Sequence, residues 1–220
     1  PLLKKDGFSY NAKIVMTIQG GGCISMAKTT GLGVIELSSA FDNLKPDIVV
    51  IRGDRYEMLS AAIAASYLNI CIAHIEGGDV SGNIDESVRH AITKLSHIHF
   101  TTNELSQKRV LRMGENPNYV FNVGSPEVEL ISKEKYSDLS TGTINKIGVG
   151  ATIKTKEPYL VVMFHPVTSE ISQNETNVQE LINAIDELHM PAIWFWPNPD
   201  AGTDDVVGAI RRYRERTNPN

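Results

Sequence analysis

Acids, a histidine and an amide stand directly after four short apolar runs of this sequence. Residues of those types in such places can move protons and hold a charged ligand. The run Asp47–Arg52 ends in Gly53-Asp54-Arg55, and Ile70–Ile75 ends in Glu76-Gly77-Gly78-Asp79. Further on, Tyr159–Phe164 ends in His165-Pro166-Val167-Thr168, and Ala192–Trp196 ends in Pro197-Asn198-Pro199-Asp200-Ala201-Gly202. Burial and like-charge proximity separate the pKa values of neighbouring carboxylates, so that one can take a proton and another return it. Each residue also has a plainer reading, because Asp54 and Glu76 could cap the following helices or pair with Arg55. Four such ends together are better explained by a cleft, since ligands of an open parallel sheet bind beyond the carboxyl ends of its strands.

The segment Ser81-Gly-Asn-Ile-Asp-Glu-Ser-Val-Arg-His90 adds a second element. Ser81 and Asn83 are candidate N-caps, which puts Asp85 in a first helical turn with Arg89 one turn on, along the same face. An exposed pair of that kind is worth only about 0.3–0.5 kcal/mol. Its place in the loop after Glu76 favours a carboxylate held by Arg89 at a helix start that also attracts phosphate. His74, alternating with Ile75, reads as a packed, hydrogen-bonded residue near the site. His97 and His99 share a strand face without a third metal ligand, and a helix dipole accounts for His189. Gly20-Gly21-Gly22 lacks the G-x-G-x-x-G spacing and reads as a turn before a helix Ile24–Leu44. The arginines Arg211, Arg212, Arg214 and Arg216 read as a solvated helix face.

Positioning those residues requires alternating strands and helices, and the pattern supplies them. Helical recurrence over Arg55–Leu68, Ile84–Leu95 and Asn103–Met113 separates strands at Lys45–Gly53, Ile70–Ile75, His97–Thr101 and Tyr119–Val123, which predicts a parallel sheet. The strand Ile70–Ile75 is free of charge, as where both faces are covered, and Cys71 within it is expected to be a buried free thiol. The stretch Lys133–Pro158 breaks the rhythm and reads as a connection. Strand Tyr159–Phe164, helix Glu175–His189, strand Ala192–Trp196 and helix Thr203–Arg216 then follow. The expected division is a first Rossmann-like domain over 1–133, a connection over 134–157 and a partial second domain over 158–220.

Composition narrows the class. The 220 residues are 41% hydrophobic and 21% charged, as in a globular chain, with two cysteines, too few for a disulfide scaffold. A net charge of −5 argues against broad nucleic-acid binding. No apolar run approaches the roughly 18 residues of a membrane span, and the start has no signal-peptide pattern, so the cytoplasm is expected.

The motifs Ile51-Arg-Gly-Asp-Arg-Tyr56, His74-Ile-Glu-Gly-Gly78, Ser81 through Ser96, Gly124-Ser-Pro126, Phe164-His-Pro-Val-Thr168 and Pro197-Asn-Pro-Asp-Ala-Gly202 together resemble the UDP-N-acetylglucosamine 2-epimerases. The likeness runs from about Asp6 to Asn220 and is strongest to the hydrolysing branch, which releases UDP and N-acetylmannosamine for sialic-acid synthesis. It implies an α/β, GT-B-like architecture of two Rossmann-like parallel-sheet domains with a UDP-sugar between them. It implies a homodimer as well, with the helices Ile24–Leu44 and Asn103–Met113 as candidates for the contact, and no metal or redox cofactor. Residue by residue, it makes Asp54, Glu76, Asp85 and His165 catalytic, and Arg55, Arg89 and Asn198 substrate-binding. The family's opening strand with its Gly-Thr-Arg turn, and its later Ser-Ser-Gly segment, have no counterpart in these 220 residues. The expectation is therefore a chain truncated at both ends that by itself binds UDP weakly and turns over little substrate.

The chemistry so implied removes the carbon-2 proton as UDP departs, giving a glycal, and adds water back with the opposite configuration. Alternatives are a hydrolysing epimerase of a UDP-diacetamido-trideoxyhexose, a non-hydrolysing UDP-N-acetylglucosamine 2-epimerase, and a catalytically silent sugar-nucleotide-binding fragment.

Overall fold

A computed structural model of the chain describes residues 2–20, 22–133 and 141–217. Of the glycine triplet, Gly21 lies outside the described residues, as do residues 134–140 of the expected connection and the side chain of Arg216. The chain forms two compact units, Pro1–Gln19 with Ile24–Ile131 and Gly20–Cys23 with Ser132–Asn220.

The first unit begins with α1 (Leu2–Lys5) and the long α2 (Cys23–Leu44), then alternates. Strand β1 (Ile48–Arg52) leads to α3 (Tyr56–Tyr67), β2 (Cys71–Ile75) to α4 (Ile84–Leu95), and β3 (Ile98–Thr101) to α5 (Glu104–Arg112). A short 3-10 turn at Pro117–Tyr119 feeds β4 (Val120–Asn122), which is followed by α6 (Pro126–Lys133). The four strands pair in parallel in the order β1-β2-β3-β4. β-branched runs such as Ile48-Val-Val-Ile suit the pleated ladder, and single backbone bonds carry it past the strand ends. Gly53 N–H donates to the Ile75 carbonyl at 3.2 Å and Glu76 N–H to the Phe100 carbonyl at 2.9 Å. The residues that follow the strands are thereby held along one edge.

The core sits on one face of this sheet. Ile51 and Ile72 meet Ile92 of α4 and the alanines Ala61, Ala62 and Ala65 of α3, whose small side chains let the helix lie close. Each large aliphatic side chain so buried contributes roughly 1.5–3 kcal/mol. Ile48 and Val50 alternate to the opposite face and are exposed. Cys71 shares that opposite face through its register with Ile48, so the thiol expected to be buried is only half-buried. Helix α4 has the amphipathic start read from its sequence: the Asn83 side chain accepts from the Asp85 N–H at 3.1 Å. The Glu86 carboxylate accepts from Gly82 N–H at 2.7 Å and Ser81 N–H at 3.0 Å. Those two backbone donors, the first above all, hold the Glu86 carboxyl below its ordinary pKa.

The second unit contains α7 (Thr141–Ile147), β5 (Leu160–Met163), α8 (Ile171–Leu188), β6 (Ala192–Phe195) and α9 (Thr203–Thr217). β5 and β6 pair in parallel. Val178 and Ile182 of α8 meet Val206 and Ala209 of α9, with Phe164 and Trp194 packed beside them. Two features differ from the sequence reading. Helix α7 lies inside the stretch read as a connection, where Thr, Gly and Ile leave no apolar period to see. Helix α8 starts at Ile171 rather than Glu175, and its buried stripe Asn174, Val178, Ile182, Ile185 opens with an amide that an apolar periodicity cannot register. Among the described residues no helix is long and apolar enough to cross a membrane.

Candidate active site

At the carboxyl edge of the first sheet two acids each receive an arginine. Asp54 follows β1 at the turn into α3, where Gly53 supplies a left-handed φ of +81°. Its Oδ2 accepts from Arg89 Nη2 of α4. The other terminal nitrogen of Arg89 donates to the Asp79 carbonyl at 2.6 Å. Arg89 is 8% exposed, so its charge is answered from within the fold.

Glu76 follows β2 and is one of the few non-glycine residues with positive φ, at 71°. An L-residue held there costs of order 1–3 kcal/mol and persists where the surroundings over-determine it. Those surroundings are visible. Beyond Glu76, Gly78 has φ +86°, and a Cβ there would collide with the Ser106 carbonyl. Arg109 Nη1 donates to the Gly78 carbonyl at 3.1 Å, and the Asp79 carboxylate accepts from Ser106 Oγ and from Thr102 Oγ1 at 3.1 Å. The loop Gly77-Gly78-Asp79 is thus clamped to the start of α5. The Glu76 side chain is held by Arg52 at the end of β1, with Nη2 to Oε1 at 3.1 Å, and Arg52 also pairs with Glu127 of α6. The carboxylate lies over Gly53, whose absent side chain would come within 3.9 Å of Oε2.

Behind these acids sits His74, fully buried on β2. Its Nε2 meets the Gly53 carbonyl at 3.0 Å and its Nδ1 meets Thr93 Oγ1 at 3.1 Å. Burial, the largest influence, lowers its pKa to about 4. On the next strand His99, also buried, meets Glu115 at 3.3 Å; burial lowers its pKa too, against the opposing pull of that carboxylate.

Asp85 lies in the first turn of α4, as the spacing predicts. Arg55 forms a two-point pair with Glu57 at 3.1 and 3.3 Å and lies over the Tyr56 ring at 5.2 Å. Asp54 and Glu76 take their arginines from α4 and β1 instead. Five of the seven expected site residues, namely Asp54, Arg55, Glu76, Asp85 and Arg89, thus belong to the first unit.

The other two, His165 and Asn198, meet in the second unit. Asn198 N–H donates to His165 Nδ1 at 3.1 Å, so a neutral His165 ring carries its proton on Nε2, which can donate. Both loops are pinned. The buried Asn174 amide accepts from Val167 N–H at 3.0 Å and donates to the Val167 carbonyl at 3.3 Å, while Gly202, at φ +91°, leaves no room for a Cβ against that amide. Thr203 Oγ1 donates to the Asn198 carbonyl and accepts from Asp200 N–H at 3.1 Å.

Sequence reading gave no separate role to Arg52, Asp79, Thr93, Glu127 and Asn174. Arg52 left one signal, a lone charge closing an apolar strand. Asp79, Thr93 and Glu127 act through partners distant in sequence, and Asn174 through the backbone of nearby Val167. Among the described residues no cluster of His, Cys, Asp and Glu has the makings of a metal site.

The fold is α/β with parallel sheets, and acids and a histidine follow its strands. Residues 3–218 match the family model described as UDP-N-acetylglucosamine 2-epimerase, and the chain belongs to that family. It is 36% identical to the UDP-N,N'-diacetylbacillosamine 2-epimerase (hydrolyzing) of Legionella pneumophila over 96% of this chain and 55% of that protein. It is 32% identical to the UDP-N-acetylglucosamine 2-epimerase of Neisseria meningitidis, over 86% of this chain and 48% of that one. The fold superposes on the Methanocaldococcus jannaschii UDP-GlcNAc 2-epimerase, crystallised with UDP-GlcNAc and UDP, with a TM-score of 0.72 at 19% identity, covering 98% of this chain and 58% of that one. The chain spans about half the length of the curated relatives it matches.

Proposed function

We propose that this chain belongs to a hydrolysing 2-epimerase of a UDP-2-acetamido sugar. The observation that carries the reading is the pair of carboxylates at adjacent strand ends, Asp54 and Glu76, each with its own arginine. The hydrogen on carbon 2 is not next to a carbonyl, so its removal becomes feasible when coupled to loss of UDP. A carboxylate takes the proton, the C2–H electrons form the carbon 1–carbon 2 double bond, and the C1–O electrons leave with UDP. Water then adds hydroxide to carbon 1 and a proton to carbon 2 from the other face, giving the free 2-epimer. Asp54, Glu76 and Asp85 supply the base and the acid. Arg89 serves them by holding Asp54. His165, through its Nε2–H, donates to the departing diphosphate, and Arg55 and Asn198 hold the nucleotide.

For the sugar, the relative at 36% identity supports UDP-N,N'-diacetylbacillosamine, a UDP-diacetamido-trideoxyhexose. The relative at 32% identity supports UDP-N-acetylglucosamine, with N-acetylmannosamine as product, as the second reading. The protein is proposed to work in the cytoplasm as a homodimer, joined through α2, where Ile24 and Ile35 are exposed, and α5, where Leu105 is. The test is incubation of the complete protein with each UDP-sugar, following UDP release and identifying the sugar. Free UDP with the free 2-epimer supports the reading. A UDP-linked epimer overturns its hydrolytic part, and no reaction with either sugar overturns the whole.

A further inference from the structure

A buried histidine in the first unit takes no part in the chemistry above, yet it touches the elements on which that chemistry depends. His74 has no exposed surface and pairs across the sheet with Ile51. Burying a polar ring there costs stability unless its nitrogens are bonded, and both are. The Gly53 carbonyl can only accept, so Nε2 carries the ring proton and donates at 3.0 Å. Nδ1 then accepts, and the Thr93 hydroxyl donates to it at 3.1 Å. The hydroxyl's single proton is shared between Nδ1 and the Arg89 carbonyl one helical turn earlier, to which it also donates at 3.0 Å.

These bonds close a ring. Gly53 precedes Asp54; Asp54 takes Arg89; Arg89 is followed one turn later by Thr93; Thr93 binds His74; His74 returns to Gly53. Gly77 makes room for it, because a Cβ there would lie 2.9 Å from Thr93 Oγ1 and 3.2 Å from His74 Nδ1.

Resting on the functional reading above, we propose that His74 is a positioning residue: its ring, tied to both Gly53 and Thr93, fixes the turn that carries Asp54 against the helix that carries Arg89, and so sets where the Asp54 carboxylate points. Asp54, Arg89 and His99 are the charged and titratable groups that bear on the ring. With its pKa lowered by burial to about 4, His74 stays neutral near pH 7 and exchanges no proton with substrate. Its influence runs through its two bonds.

The test compares His74→Phe, His74→Gln and Thr93→Val with the wild-type protein. His74→Phe keeps a ring but loses both bonds, and Thr93→Val removes the hydroxyl at nearly constant volume. Misplacing a reacting group by about 1 Å costs on the order of a hundredfold, so both variants should lower kcat by about 10- to 100-fold with little change in KM. His74→Gln, whose amide can still reach the Gly53 carbonyl, should recover most of the loss. A kcat close to wild type in Thr93→Val, or a change confined to KM, overturns the proposal. If the wild-type protein turns over neither UDP-sugar, the functional reading fails by itself. The ring of bonds is then read by NMR from rotation of the Arg89 guanidinium, which a charge-assisted pair restrains. The rotation should accelerate about tenfold in Thr93→Val as the Asp54 pair loosens. An unchanged rate overturns the proposal independently of any turnover.

Discussion

Arg89 on α4 donates to Asp54, a residue 35 positions earlier in the sequence at the end of β1. With its second bond to the Asp79 carbonyl, it joins three segments that approach one another only in the folded sheet. The arrangement holds a carboxylate at the edge where a ligand of a parallel sheet binds.

Replacing that carboxylate separates its chemistry from its structural part. Asp54→Asn keeps an acceptor for Arg89 but removes the counter-charge, so stability should fall by about 1–3 kcal/mol while the fold is retained. UDP release should drop by at least about a hundredfold. Circular dichroism, urea unfolding and a UDP-release assay read the three quantities. Unchanged release would remove Asp54 from the proton-transfer step.

The partner of Arg89 shows where legibility ended. The i, i+4 spacing places Arg89 on the Asp85 side of α4, and it does lie there, but spacing within one helix cannot reveal a partner on another element. Helix α4 was legible because Ile84, Val88 and Ile92 recur on one face behind the Asn83 cap. The strands were legible because their short apolar runs stop at glycine, proline or a polar residue. Helix α6 was not, since none of its residues is buried and no apolar period marks it. The Asn174 amide left no signal either, because its partners are the backbone groups of Val167.

Two glycines of one loop should respond differently to a methyl group. Gly78→Ala forces a Cβ into the Ser106 carbonyl at φ +86° and should cost roughly 3 kcal/mol or more. Gly82→Ala at φ +75° meets open space and should cost about 1–2 kcal/mol, the backbone preference alone. Urea denaturation of both variants checks the difference. Equal losses would show that the loop yields around Ser106.

Acid should weaken the first unit before its carboxylates protonate. His74 has a folded pKa of about 4 against 6.5 when unfolded, so its contribution is fully present above 6.5 and is lost as pH falls toward 4. Between pH 7 and 5 this amounts to about 2 kcal/mol, and His99 acts in the same direction. Unfolding free energies at pH 7, 6 and 5 should decline accordingly, and His74→Gln should flatten the decline. A stability independent of pH across that window would contradict the burial of both rings.

In the second unit, Asn174→Ala should unpin the loop that carries His165. Two Val167 backbone groups lose their partner, at a cost of about 1–3 kcal/mol. The His165 Nδ1 signal should then lose the signature of the Asn198 N–H bond in nitrogen-15 spectra. Retention of that signature would show that the two loops hold each other without Asn174.

The central claim is that carboxylates at the ends of β1 and β2, with Asp85, exchange the proton on carbon 2 of a UDP-2-acetamido sugar while UDP leaves. Turnover in deuterium oxide tests it most directly, with the products read by mass spectrometry and proton NMR. The account predicts free UDP and a free 2-epimeric sugar carrying one deuterium at carbon 2. Free sugar that keeps its original carbon-2 hydrogen would contradict it.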